Sequence, residues 1–314
     1  MNDKPTFQLD VSVDEALRSV ARSILADARS AIQDPERPAA EAVHDFRRQM
    51  KRWRALLRLL GPFLGASGKE LRDHARDLAR ALGGARDAQS ALDALSDLDG
   101  LDLSARSLAT MHSRIDELRQ AAETNTLTPD MRLKVMRSLD QALGAVEQWP
   151  LHSLAFADVA KRLTRGYRAA RDALPEHWTA TDGSELHELR KRIVTHRHQM
   201  EMVVPFWRRF GKMWIGEAQR LRDRLGKHQD LLLLMRMTGP GQPLAHWHKR
   251  LKPAIEQRAT EHVGAASRIA QRLFVDKPKA FQRRIEVMGE TAAEVLKSQS
   301  AIGSTAKPRG GSPR

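Results

Sequence analysis

The sequence predicts an all-α protein. Apolar residues recur at three- and four-residue spacing along most of the chain, and alternating strand-like runs bounded by Asn-Gly or Asp-Gly turns are missing. Breaks in the helical pattern fall at Pro35 to Pro38, Gly61-Pro62, Gly83-Gly84, Asp97 to Asp102, Thr124 to Pro129, Trp149-Pro150, Pro175 to Ser184 and Gly239 to Pro243. They delimit about eight helices. From Ser298 the chain turns to GSTAKPRGGSPR, rich in Gly, Ser, Pro and basic residues. Residues 298–314 are therefore expected to be a disordered basic tail, and 1–297 a single domain.

The chain has 314 residues, of which 41% are hydrophobic, enough to supply a buried core. Cysteine is absent, which removes disulfides, thiolate zinc sites and cysteine nucleophiles and fits a reducing compartment. The first residues lack an apolar core of signal-peptide length, and no run of about 18 apolar residues occurs. The sequence thus predicts a cytoplasmic protein without membrane insertion. Lysine plus arginine exceed aspartate plus glutamate by 53 − 39 = 14, a charge that attracts polyanions and makes binding sensitive to salt. Nucleic acid, anionic lipid and polyphosphate all fit that charge. Aromatic residues are only 5%, with one tyrosine, so there is little material for the stacking platforms of single-strand binders.

An internal repeat organises the chain. His44-Asp45-Phe46-Arg47-Arg48 matches His187-Glu188-Leu189-Arg190-Lys191, a shift of 187 − 44 = 143 residues. The same shift pairs Arg54 with Arg197, Pro62-Phe63 with Pro205-Phe206, Leu82-Gly83 with Leu225-Gly226, and Asp87 with Asp230. The simplest architecture is two four-helix halves, about residues 8–149 and 150–297, related by a pseudo-twofold axis and packed as one unit, with equivalent helices meeting close to the axis.

At about 100° per residue, His44, Arg47, Lys51, Arg54 and Arg58 form one basic stripe. Arg48 and Arg52 widen it, and Val43, Phe46, Met50, Trp53, Leu57 and Leu60 lie opposite. The repeat helix presents His187, Arg190, Lys191, Arg197 and His198 against Leu186, Leu189, Ile193, Met200 and Val204. Its stripe is weaker, because Val194 replaces Lys51 and Glu201 replaces Arg58. Like charges at this spacing repel, few carboxylates appear to neutralise them, and a polyanion would relieve the strain. Arginine suits phosphate through its planar fork, lysine adds a point charge, and a histidine near its ordinary pKa can gain a proton as an anion approaches; His44 and His187 equally fit helix-start residues hydrogen-bonded to a neighbour. Further donors are Arg72, Arg76 and Arg80, Lys161, Arg165, Arg168 and Arg171, and Arg220 and Arg224. The repeat does not support all of them, since Arg76 pairs with Gln219 and Arg80 with Asp223. The plain alternative for any one stripe is the solvated face of an amphipathic helix.

No P-loop, Gly-x-Ser-x-Gly or His-Glu-x-x-His is present, and the basic stripes lack acidic metal ligands. No enzymatic activity, cofactor or metal is expected. His196 with His198, and His246 with His248, stand two apart on helices and do not face the same way. The residues leave open three binding modes: polyphosphate, nucleic acid held non-specifically through its backbone, and a helical scaffold for another protein.

The segments VHDFRRQMKRWRALLRLL and LGGARDAQSAL resemble the motifs of the CHAD domain, the conserved histidine α-helical domain. LHELRKRIVTHRHQM and LGKHQDLLLLM occupy the matching places in the second half, and RLFVDKPKAFQRR is similar to the family's closing segment. The resemblance runs from about residue 10 to 290. It implies two four-helix bundles around a basic pore or groove that contacts inorganic polyphosphate through His44, Arg47, Arg48, Lys51, Arg54, His187, Arg190, Lys191 and Arg197. It also implies a granule-associated protein, on polyphosphate or polyhydroxyalkanoate granules. The Glu-x-Glu-x-Lys strand of the triphosphate-hydrolysing domain joined to some members is absent. Within Leu-Gly-x-x-Arg-Asp, Asp87 and Asp230 are expected to cap or orient neighbouring basic side chains, while Arg86 finds only Gln229 as its partner.

Overall fold

The computed structural model describes residues 5–83, 86–98, 104–123 and 127–305. Among the described residues it is helical throughout. The α-helices are α1 (Val13–Gln33), α2 (Ala39–Ala81), α3 (Arg86–Ser96), α4 (Ala105–Glu123), α5 (Pro129–Glu147), α6 (Phe156–Arg171), α7 (Gly183–Met202), α8 (Arg208–Met237), α9 (His248–Leu273) and α10 (Pro278–Thr305). Helix starts follow local chemistry. The Thr128 hydroxyl accepts from the Met131 amide at 3.2 Å, with Pro129 at the first helical position, and the Asp182 carboxylate accepts from the Ser184 amide at 3.0 Å.

Among the described residues ten α-helices replace the expected eight. The breaks missed by sequence lie at 203–207, where Pro205 bars α7 from continuing, and at 274–277 ahead of Pro278. The expected break at Gly61-Pro62 is displaced. Helical backbone runs through Pro62, and the chain reverses at Gly65, whose φ of 56° and ψ of −134° exclude side chains. The two arms of α2 then run antiparallel: Arg47 Nη1 donates to the Leu82 carbonyl at 3.3 Å. The expected disordered tail is also corrected in part, because α10 continues through Thr305. Gly84, residues 99–102 and 124–126 of the expected breaks, and the tail beyond 305 lie outside the described residues.

The helices do not sort into two separate bundles by sequence half. One large core joins both halves, with α1 against α2 and α5, α6 against α7 and α10, and α2 crossing α7. Trp149, at the expected boundary, is buried and stacks on Trp53 at 5.8 Å, so the join is part of the core. A second core forms where Ala91, Leu95, Met111 and Ile115 of α3 and α4 pack on Leu231, Leu234, Leu251 and Ile255 of α8 and α9. The α3–α4 hairpin therefore leans on the opposite half. Its latch is Asp97, nearly buried, which accepts from Lys227, from Arg258 Nε at 3.1 Å and from His262 Nε2 at 2.5 Å. Removing this carboxylate takes the acceptor from the fully buried His262, while Arg258 keeps Glu261 at 2.9 Å.

The 143-residue register recurs in several places. α6 starts 156 − 13 = 143 residues after α1, and α9 starts 248 − 105 = 143 after α4. Where α2 crosses α7, Arg58 Nη1 donates to Thr195 Oγ1 at 2.8 Å and Arg52 Nε lies 3.5 Å from Glu201. These contacts exchange places under the shift, since 52 + 143 = 195 and 58 + 143 = 201. A departure occurs after Leu225, where α8 continues while α2 has ended at Ala81.

Replacing Gly65 with alanine strains the backbone without meeting any neighbour, so the expected loss is about 1–3 kcal/mol, seen as a lower urea midpoint at unchanged slope. His196 sits among Tyr167, Trp214 and Phe281, and burial pushes its pKa down to about 3 against a smaller opposing effect of Gln199. Burial likewise takes His198 down to about 4. Below the ordinary value of 6.5 the unfolded chain takes up protons that the fold excludes. Stability is therefore full above that pH and declines as acid is added, down to about pH 3. In urea titrations His196→Gln is expected to flatten this decline, and an unchanged slope contradicts the assignment.

Candidate functional site

The reversal of α2 sets its two arms face to face. The first arm presents His44, exposed, then Arg47, Lys51 and Arg54, half-buried, and Arg58, exposed. Behind them Phe46, Met50, Trp53, Leu57 and Leu60 are buried, as the spacing predicts. The second arm returns Arg72, Asp73 and Arg76, half-buried, and Arg80, exposed. Arg54, Arg58, Arg72, Asp73 and Arg76 line one open hollow of about 380 Å³.

Charge in this hollow is poorly compensated. Asp73 and Asp77 both accept from Arg76, at 2.9 and 3.0 Å. Among the described residues no carboxylate comes within ion-pair distance of Arg54, Arg58 or Arg72. Burial lowers the Arg54 pKa below its ordinary value, and Arg58, Arg76, Arg72 and Arg80 lower it further. Arg58 is lowered in the same way by desolvation and by Arg72, with Glu188 of α7 opposing. Guanidinium groups stay protonated under such shifts, so the result is concentrated positive charge with donor capacity to spare.

The second half is built on the same pattern with its charges tied down. Lys191 pairs with Glu188 at 2.6 Å. Arg197 pairs at 2.5 Å with Glu201, which is almost fully buried and also accepts from His198 Nδ1 at 2.9 Å. Burial alone would raise the Glu201 carboxyl. His198, Arg197 and Arg52 together bring it down to about 2. Arg197, His198 and Arg52, all placed by sequence on the open stripe, thus belong to a buried charge cluster at the crossing of α2 and α7. The expectation of few neutralising carboxylates fails here and at Arg48, which lies 3.1 Å from Asp45. The sequence offers a signal in hindsight: Glu201 stands four residues after Arg197 on one helix.

Arg47 and Arg190 share an unusual setting. Each guanidinium lies over the glycine of its own Leu-Gly pair: a Cβ added at Gly83 would come 2.9 Å from Arg47 Nη1, and one at Gly226 would come 3.3 Å from Arg190 Nη2. Neither glycine has a positive φ. Gly226 sits inside α8, where alanine would favour the helix by about 1 kcal/mol.

The remaining sequence candidates scatter. His187 is half-buried on α7, and Arg165 and Arg168 are exposed on α6. Arg220 pairs with Glu217 at 2.7 Å and lines a different hollow, with Trp214 and Phe281. Arg224 Nη1 lies 3.2 Å from His262 Nδ1, beside the Asp97 latch. Asp87 is exposed in the first turn of α3, and the Arg86 side chain lies outside the described residues. His248 Nδ1 is 2.8 Å from Thr238 Oγ1, and His246 is exposed. Among the described residues no group of three His, Asp or Glu is placed to hold a metal, and no helix is long and apolar enough to cross a membrane.

Comparison with known proteins places the fold. The CHAD domain profile matches residues 15–238, and so ends before α9 and α10, which the sequence resemblance had included. The crystal structure of the CHAD domain from the plant Ricinus communis is similar over 90% of this chain and 95% of that chain. Its TM-score is 0.55 at 18% identity, a likeness of fold. Comparison with curated protein sequences finds no match. With the matched segment spanning α1 through α8 and the helical fold shared across nearly the whole chain, the protein belongs to the CHAD domain family.

Proposed function

We propose that this chain binds inorganic polyphosphate, with the hollow between the arms of α2 as the principal seat. The observation that carries this is the convergence of Arg54, Arg58 and Arg72 without carboxylate partners among the described residues. Guanidinium forks that line one opening suit a ligand with closely spaced phosphoryl oxygens. Family membership supports the reading. Arg47, Lys51 and His44 extend the row along the first arm, and Lys191 and Arg190 contribute from α7. Arg197 acts instead as structural charge beneath the surface.

On this reading the chain is a binder and not a phosphoryl-transfer enzyme. Among the described residues the one carboxylate lining the hollow, Asp73, is engaged with Arg76. Granule association follows as a consequence of holding the polymer, and a diffuse distribution in cells with visible polyphosphate granules contradicts it. Nucleic acid binds through the same net charge of +14 as a weaker, sequence-independent competitor.

A salt titration with long-chain polyphosphate tests the proposal. Wild-type affinity is expected to fall linearly on logarithmic axes as salt rises. Arg54→Glu, Arg58→Glu and Arg72→Glu combined are expected to weaken binding by about a hundredfold or more and to flatten the slope. Arg208→Glu with Arg209→Glu, exposed at the start of α8, is expected to change it only a few-fold, by about the effect of a surface charge. Equal losses in the two variants, or none in the first, overturn the site. Long polyphosphate is also expected to displace DNA at low phosphate-equivalent concentration, without the reverse.

A further inference from the structure

We infer that Gly226 and Gly83 are positioning residues of the polyphosphate site: their missing side chains leave the space in which the guanidinium groups of Arg190 and Arg47 lie. The inference rests on the polyphosphate reading for those two arginines. Its geometry is independent of that reading.

The repeat carries the first argument. Arg47 and Arg190 are equivalent under the 143-residue shift, and so are Gly83 and Gly226, since 47 + 143 = 190 and 83 + 143 = 226. The same side chain therefore covers the same glycine twice, although the backbone differs: α2 has ended before Gly83, whereas Gly226 lies inside α8. The arrangement follows the pair and not the local secondary structure.

Elimination supplies the second argument. A glycine is usually kept for a left-handed backbone or for close approach of another group. Left-handed backbone is ruled out at both positions. At Gly226 the three atoms nearest an added Cβ are Arg190 Nη2, Nε and Cζ, at 3.3, 3.4 and 3.7 Å, so close approach of Arg190 is the remaining reason. Gly83 is less clean, because an added Cβ would also meet the Arg80 carbonyl at 2.9 Å. Gly226 therefore carries the test.

An alanine at Gly226 pushes the tip of a flexible side chain and leaves the helix intact. It displaces the Arg190 guanidinium by a few tenths of an ångström, and the Leu-Gly pair of the repeated motif becomes a device for setting the position of a donor. Arg47 Nη1 illustrates the aim, donating to the Leu82 carbonyl at 3.3 Å as it passes over Gly83.

The experiment is a double-mutant cycle on the full chain with Gly226→Ala, Arg190→Ala and both together, and a second cycle with Gly83→Ala and Arg47→Ala. Three readouts are used: affinity for long-chain inorganic polyphosphate, thermal midpoint, and phenylglyoxal reactivity of Arg190 read by peptide mass spectrometry on the ligand-free protein. Gly226→Ala is expected to weaken binding about tenfold, as Arg190→Ala does, the scale of one charge-assisted hydrogen bond. It should add nothing in the Arg190→Ala background. Arg190 reactivity should rise and the thermal midpoint should not fall. Unchanged Arg190 reactivity in Gly226→Ala overturns the inference, as does an additive loss of affinity accompanied by a lower midpoint. If Arg190→Ala and Arg47→Ala both bind as wild type does, the inference falls while the hollow of Arg54, Arg58 and Arg72 stands. Loss of the hollow in its own test, with these cycles intact, would instead move the seat of binding to Arg47 and Arg190.

Discussion

The reversal of α2 at Gly65 is the constraint on which the candidate site depends. A straight helix would carry Arg72 about 20 Å or more from Arg58, whereas the reversed chain makes them walls of one hollow. Crowding guanidinium groups in this way opposes folding, yet exposed charge pairs interact by only about 1 kcal/mol or less. Each buried leucine contributes about 1.5–3 kcal/mol, and Leu56, Leu57, Leu59, Leu60 and Leu64 line the buried side of the first arm, with Leu78 on the second. Apolar packing wins, and the guanidinium groups remain crowded at the surface of the hollow.

The two halves spend the same pattern differently. At the crossing of α2 and α7, the position that bears Arg58 in one half bears Glu201 in the other. That exchange turns an exposed donor into a buried acceptor with Arg197, Arg52 and His198 around it. A buried carboxylate with this many donors is well satisfied, but it withdraws three basic groups from the open face. The stripe becomes an adhesive between halves on one side and leaves an uncompensated basic hollow on the other.

Much of this was legible in the sequence. The all-α class and most of the buried face of each repeat helix followed from spacing, because a packed helix must place its apolar residues at that period; Val204, expected on that face, lies past the end of α7 and is half-buried. The row from His44 to Arg58 was legible for the same reason. Burial of Arg197 and His198 was not, since periodicity gives a direction around one helix and says nothing of the second helix packed over it. The joining of Arg54 and Arg58 to Arg72 and Arg76 depends on a turn at Gly65 that lacks a proline beside it, while the more conspicuous Gly61-Pro62 stays helical. Asp97 left no signal at all: its partners lie about 130 residues or more away in sequence, and only the docking of the α3–α4 hairpin brings them together.

The most direct measurement of the central claim is a crystal structure of the chain with a short-chain polyphosphate bound. Phosphate density is expected between the arms of α2, with Arg54, Arg58 and Arg72 donating to it and the Arg197–Glu201 pair intact beneath. Density seated elsewhere, with those three guanidinium groups unchanged from the free protein, would contradict the claim.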